Sequence, residues 1–296
     1  YSQSESNVRK TWLLIFGFLV FIIAFGWLFS YLLESSIILI IAVILSVVMS
    51  FTSYWYSDKI VLSMIKAHPI EKKDNPELYR IVENLCITSG MPIPKIYILP
   101  EEQPNAFATG RDEKHAVVAV TQGLLRKLER VELEGVIAHE LSHIKNKDIL
   151  IGTVAVVLVG IIAIASDIFL RMAFFGSLGG RDSRNHGGTA IIVIGLVAAI
   201  LAPIAATVIR MSISRRREFL ADSSGALLTR YPDGLAKALE KISKDATPMK
   251  KASNSTAHLF ISTPFKGKQG KSWFTKLFMT HPNVEDRVKA LRGMKI

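Results

Sequence analysis

The chain has 296 residues, 50% of them hydrophobic and 21% charged, with 36 Lys+Arg against 25 Asp+Glu and a net charge of +11. That is too apolar for a disordered chain, and one cysteine excludes a disulfide scaffold. Only six charged residues, Glu34, Asp167, Arg171, Arg181, Asp182 and Arg184, fall in residues 11–57 and 149–209. The six cancel, so the whole positive excess lies elsewhere, and a plain cytosolic enzyme is excluded.

Residues 11–33 and 35–56 are two runs without a charge. As helices at about 1.5 Å per residue each reaches roughly 33 Å, enough to cross a bilayer. Glu34 and neighbouring serines form the whole connection, which predicts a helical hairpin with a short outer turn. The first run is longer than the apolar core of a signal peptide, and a second run follows at once. Arg9 and Lys10 precede the pair and Lys59, Lys66, Lys72 and Lys73 follow it, so the positive-inside rule puts both flanks in the cytoplasm. Asn75-Pro76 reads as an N-cap followed by proline at the first helical position, and Leu78, Ile81, Val82, Leu85 and Cys86 form one helical stripe. Cys86 is therefore core filler rather than a nucleophile.

Residues 149–166 and 189–209 are two further apolar runs, weaker as spans, joined by a Gly-rich loop. The expected organisation is a transmembrane hairpin (1–57), a first part of a cytoplasmic domain (58–148), a second transmembrane hairpin (149–209) and the second part of the cytoplasmic domain (210–296).

Between the pairs stands His139-Glu140-Leu141-Ser142-His143, an H-E-x-x-H in a stretch whose periodicity says helix. One turn separates the histidines, so both imidazoles project to a common point, and Glu140 lies where it can reach a metal-bound water. A catalytic zinc takes three protein ligands and one open position. The best third ligand is Glu218, with Asp222 one turn further on, placed to orient a ligand histidine through its other ring nitrogen. If the H-E-x-x-H helix runs on into 149–166, His143 lies about 9 Å from that run and Glu218 about 13 Å from the next. The metal then sits about 10 to 15 Å from the cytoplasmic membrane face. Since His143 and Glu218 must meet, the chain between them crosses the bilayer an even number of times. His68, His115, His186 and His258 read as surface residues.

The membrane hairpin, Asn105-Ala106-Phe107-Ala108-Thr109-Gly110, the H-E-x-x-H helix, two more apolar runs, Glu218-Phe219-Leu220-Ala221-Asp222 and Thr280-His281-Pro282 follow one another along nearly the whole chain. In this order they resemble the HtpX-type membrane zinc metalloproteases, relatives of the CAAX prenyl endopeptidases. The resemblance implies one zinc on His139, His143 and Glu218, Glu140 as general base, and Asp222 holding a ligand from behind. It also implies an edge strand at Asn105, Ala106 and Phe107 on which an extended substrate could add, with His281 and Arg287 near the developing oxyanion. The fold class expected is mainly α with a small β-sheet: an integral membrane protein with four transmembrane helices and a zincin-like domain of the Glu type.

The expected function is cleavage of membrane or misfolded proteins at the cytoplasmic face of a plasma membrane, the inner membrane in a bacterium, in quality control and stress response. Glu140 would assist the attack of water on the peptide carbonyl. Specific processing of the prenyl-endopeptidase type is the alternative, and a non-enzymatic membrane adaptor the rival from another class. The partners are protein substrates and the lipid bilayer. Lys266 to Ser272 lacks the first glycine of a phosphate-binding loop, so no nucleotide is expected, and the basic residues lack the aromatic interleaving of a nucleic-acid surface.

Overall fold

The computed structural model describes residues 2–32, 34–162, 207–208, 214–250, 255–265 and 282–295. His186, the loop before the fourth apolar run, nearly all of that run, residues 266–272 and His281 lie outside the described residues.

Helices α1 (Ser2–Leu32) and α2 (Ser36–Trp55) pack antiparallel, with Glu34 at the turn in the left-handed region (φ 50°). Trp12, Leu13, Phe16, Val20 and Trp27 of α1 and Ile37, Ile40, Ile41, Ile44 and Val47 of α2 form an exposed apolar surface. The opposite face of α1, with Leu14, Ile15 and Phe18, is buried. The stretch Ser4–Trp27 is long and apolar enough to cross a membrane; Leu39–Trp55 is joined to the next helix, α3 (Ser57–Ile65), at a bend of 79°.

A four-stranded sheet follows, β1 (His68–Pro69), β2 (Lys95–Leu99), β3 (Ala106–Thr109) and β4 (Val117–Thr121), in the order β1-β2-β4-β3. The pair β2–β4 is parallel and the other two pairs are antiparallel. Its period-2 alternation feeds two cores. Ile96, Ala106, Ala108, Val118 and Val120 face the main core, while Leu99, Phe107, Val117 and Ala119 face Val61, Leu62 and Ile65 of α3.

Helix α4 (Pro76–Ser89) starts where the sequence says: the Asn75 side chain accepts from Leu78 N at 3.0 Å, and Gly90 ends the helix at φ 69°. Its five-residue stripe, Cys86 included, is buried in the main core, and burial pushes the Cys86 thiol up to about 11. A short helix α5 (Gln122–Lys127) leads to α6 (Arg130–Lys145), which carries His139, Glu140 and His143. The Glu132 carboxylate accepts from Glu129 N at 2.8 Å and fixes its first turn.

Here the structure departs from an uninterrupted helix. Lys147 adopts φ 56°, so α6 stops and a new helix, α7 (Asp148–Ile162), begins. Among the described residues α7 is too short for a span, and Ile151, Val154, Ala155, Val156 and Leu158 are all buried between α1 and the sheet side of the domain. This third apolar run is therefore buried against protein over its described length, and the distance from His143 to it along a continuous helix does not apply.

Helices α8 (Arg215–Thr229), α9 (Pro232–Lys244) and α10 (Val284–Arg292) complete the domain. Leu235, Leu239, Ile242, Val288 and Leu291 join Leu133, Val136, Ile137, Leu141 and Ile144 of α6 in one core. The segments before and after the second apolar pair thus share a single interior. Two glycines set how closely α6 is gripped. A Cβ on Gly225 of α8 would come within 2.9 Å of His139 N, and one on Gly135 of α6 within 2.7 Å of Leu235 N of α9. Each Gly→Ala change forces backbones apart and should cost about 1–3 kcal/mol of stability. Because Gly225 lies against His139, Gly225→Ala should also weaken metal binding, whereas Gly135→Ala should not at matched stability; denaturant melts paired with chelator competition would separate the two.

Candidate metal centre

Helix α6 presents His139 and His143 on one face, their Nε2 atoms 3.1 Å apart. Helix α8 crosses at Gly225 and brings Glu218 in beside them. Its Oε2 is 3.9 Å from His139 Nε2, and its Oε1 is 3.6 Å from His143 Nε2. Donors at about 2.0–2.1 Å around a tetrahedral metal such as zinc stand about 3.3 Å from one another, so these spacings suit one ion. Among the described residues these three form the group of side chains able to hold a metal, with ligand atoms within 4.8 Å of one another.

The far side of each ring is held by a carboxylate. His139 Nδ1 lies 2.9 Å from Asp222 Oδ1, and His143 Nδ1 lies 3.0 Å from Asp148 Oδ2. These partners place the ring hydrogens on Nδ1 and leave both Nε2 lone pairs converging on one point. Two imidazole lone pairs and a carboxylate aimed at a common point form a metal donor set. Electrostatics agree. Burial pulls His143 down, but the hydrogen bond it donates to Asp148 and the charges of Glu218, Asp148 and Glu140 push it up to about 9, so the surroundings favour a positive charge at this point, whether a proton or a metal ion. For His139 burial outweighs the upward pull of Asp222, and the ring stays readily neutral.

Glu140 points to the same cavity, which is lined also by Ala108, Gly152, Arg217, His258 and Leu259. The Glu140 carboxyl is 2% exposed. Burial and the nearby Glu218 charge raise it to about 7, against the downward pull of His143, Arg287 and the Ala108 N–H.

Arg287 is 1% exposed. Its Nε and Nη2 donate to the two oxygens of Asp222 at 2.8 and 2.7 Å, and its Nη1 is 3.5 Å from Glu218 Oε2. Burial opposes the Asp222 charge, yet the guanidinium and its hydrogen bonds hold that carboxyl down at about 2. The side chain therefore grips Asp222 and also reaches the ligand set, its Nη2 lying 3.5 Å from His139 Nε2. The strand residues are equally occupied. Asn105 exchanges hydrogen bonds with the Ser262 backbone (2.8 and 3.2 Å), Ile261 N donates to Ala106 O at 2.9 Å, and Phe107 packs edge-on against Phe260 at 5.2 Å. Strand β3 is the end strand of the sheet, as the resemblance implies, with residues 260–262 lying along it.

Four residues of the site escaped the sequence reading. His258 is buried and lines the cavity, its Nε2 3.3 Å from Gly152 O, not at the surface. Asp148 reaches His143 only because Lys147 breaks the helix. Arg217 Nε lies 3.6 Å from Asp148 Oδ1, and Arg217 Nη1 donates to Asn7 Oδ1 at 3.3 Å. Asn7, fully buried in α1, donates to Asn146 O at 3.1 Å and to Asp148 Oδ1 at 2.5 Å. The start of the apolar hairpin is thus bonded to the carboxylate that orients His143. Its separation of 141 residues from Asp148 leaves no sequence signal; Asp148 itself, five residues past His143, was findable as an acid near the ligand. Replacing outer partners of metal ligands costs about 10–100-fold in affinity. Asp222→Asn should fall in that range and Asn7→Ala near tenfold in a chelator competition; unchanged affinity in Asn7→Ala would reduce the α1 contact to packing.

Residues 72–295 match the family model described as Peptidase family M48. The chain is 45% identical over 300 residues to a Protease HtpX homolog of Caldanaerobacter subterraneus subsp. tengcongensis, covering 100% of this chain and 98% of that one. It is 50% identical over 265 residues to a Protease HtpX homolog of Thermococcus sibiricus, covering 89% of each. A crystal structure of S. mikatae Ste24p superposes with a TM-score of 0.49 at 19% identity, over 98% of this chain and 66% of that one, a likeness too slight to weigh. The chain belongs to peptidase family M48 and is an HtpX-type metalloprotease, a hydrolase of peptide bonds.

Proposed function

We propose that this protein is a membrane-anchored zinc endopeptidase that cleaves membrane or misfolded proteins at the cytoplasmic face, with zinc on His139, His143 and Glu218. The observation that carries the reading is the donor set of His139, His143 and Glu218 with the buried Glu140 carboxyl lining the same cavity. Zinc, when bound, supplies a Lewis acid that polarises the scissile carbonyl and makes water acidic near neutral pH. The Glu140 carboxyl in that cavity can both accept a proton from the attacking water and return it to the leaving nitrogen as the C–N bond breaks. Asp222 holds His139 in the ligating tautomer, and Arg287 keeps Asp222 ionised and Glu218 in place. His281, by resemblance, would serve the oxyanion.

An extended substrate would add along β3 at Asn105, Ala106 and Phe107. The backbone groups it would use are engaged, Ala106 O by Ile261 and the Ala108 N–H by Glu140, so residues 260–262 would give way as the substrate strand enters.

The exposed apolar faces of α1 and α2 support a hairpin embedded in lipid, with the segments 1–57, 58–148, 149–209 and 210–296 as the working division. Helix α7 would enter the bilayer region beside α1, shielded by it, and return through the fourth apolar run; this keeps four membrane segments and places His143 and Glu218 on one side. Cysteines at exposed Lys145 and Arg216 should then label from the same face and one at exposed Glu34 from the other, with buried Cys86 silent; labelling of all three from one face would refute the hairpin. Glu140→Gln should retain one zinc per chain by metal analysis while cleavage of an unfolded membrane protein in detergent falls by at least about a hundredfold. A variant that still cleaves would remove the assignment.

A further inference from the structure

The bend between α2 and α3 opens a second cavity, about 480 Å³, far larger than the roughly 50 Å³ at the metal centre. Four separate stretches of chain meet there: Trp55 and Tyr56 at the foot of α2, Lys59 in α3, Lys95 at the start of β2, and Arg111 and Lys114 in the β3–β4 connection. We propose that this cavity binds the phosphodiester of an anionic phospholipid headgroup, a site that rests on the membrane reading of the hairpin.

The charge is unbalanced in the required sense. Among the described residues no carboxylate lies within 4.0 Å of the Lys59, Lys95 or Lys114 ammonium. Asp58 is the one acid lining the cavity, and Asp112, at its edge, is already taken by Arg111 Nε at 3.1 Å and His115 Nδ1 at 2.7 Å. The Arg111 guanidinium stacks on the Trp55 ring, 4.3 Å from its centroid, and the Lys59 ammonium is 5.3 Å from that of Tyr56. Stacking holds the guanidinium plane rigidly; its Nε is paired with Asp112 and its Nη2 lies 3.0 Å from His115 Nε2, so Nη1 is the donor left for an oxyanion. Lys59, Lys95, Arg111 and Lys114 thus face one acid, Asp58, among the residues lining the cavity.

Position decides between a lipid and a soluble anion. Trp55 closes the apolar stretch Leu39–Trp55, and Phe51 (58% exposed) and Trp55 (44%) form an apolar wall leading up from the cavity along α2. Tryptophan and tyrosine sit at the headgroup level of a bilayer, and basic residues beside them on the cytoplasmic side meet a negative lipid surface. A ligand with an anionic head and an acyl tail fills both the basic cavity and the apolar wall; free phosphate fills only the first. A headgroup held there would tie β2 and the β3–β4 connection to the foot of α2, and so fix the height of the sheet against the bilayer.

The full chain in detergent, titrated with water-soluble short-chain phosphatidylglycerol or phosphatidylcholine and read by native mass spectrometry, tests this. Wild type should bind phosphatidylglycerol at least about tenfold more tightly than phosphatidylcholine, since each lysine near an anionic surface contributes on the order of fivefold. The variant K59A/K95A/K114A should lose that preference, and K66A/K72A/K73A, which removes equal charge elsewhere, should keep it. Equal affinity for the two lipids, or equal loss in both triple variants, would overturn the proposal; so would displacement of the lipid by an equimolar amount of inorganic phosphate, which would show a plain anion site. Because the probe lipids are soluble, the cavity is tested whether or not the hairpin crosses a bilayer, and failure of the membrane reading shows separately in the labelling at Glu34, Lys145 and Arg216.

Discussion

Two imidazole nitrogens 3.1 Å apart, both turned toward Glu218, set the terms for the rest of this protein. One helical turn supplies the spacing without further help. It does not stop the rings from rotating, and it does not choose their tautomers; each Nδ1 needs an acceptor from another element. Asp222 must arrive from α8, and Asp148 from a chain that has just left α6. The break at Lys147 and the backbone contact at Gly225 are the local conformations that satisfy these needs.

Buried carboxylates on that scale would repel one another without compensation. Arg287 supplies it for Asp222 and Glu218, and Arg217 supplies it for Asp148, each guanidinium buried with its partners. Desolvated ions are costly unless paired and hydrogen-bonded, and here the pairs form one connected system from Asn7 through Asp148, Arg217 and the two histidines to Asp222 and Arg287. The hairpin enters that system through Asn7. It is consequently bonded to the candidate metal centre, and its buried face packs on α7 through Leu14, Ile15 and Phe18.

Much of the fold was legible because its signals are local. The hairpin and its short turn, the N-cap and stripe of α4, and the helix bearing His139 and His143 each depend on residues within a few turns of one another, where periodicity and capping chemistry operate. Glu218 and Asp222 were legible for the same reason: four-residue spacing puts them on one face. Arg287 was expected near the substrate's oxyanion; that it grips Asp222 and stands 3.5 Å from both His139 Nε2 and Glu218 Oε2 is visible only once the helices are packed. His258, without a partner in sequence, was read as a surface residue, and long-range folding of residues 255–265 onto α7 buries it.

The uneven charge and the motif spacing by themselves determined that this chain joins an apolar anchor to a metal-dependent hydrolase, since ligand chemistry and helical periodicity need only nearby residues. Tertiary structure alone decided that the H-E-x-x-H helix breaks at Lys147 ahead of the third apolar run, that this run is buried against α1 over its described length, that Asp148 reaches His143, and that Asn7 reaches Asp148 across 141 positions. The physical reason is that hydrogen bonds and ion pairs between distant segments follow from how helices pack and where a backbone turns, and neither is written in the spacing of residues along one element.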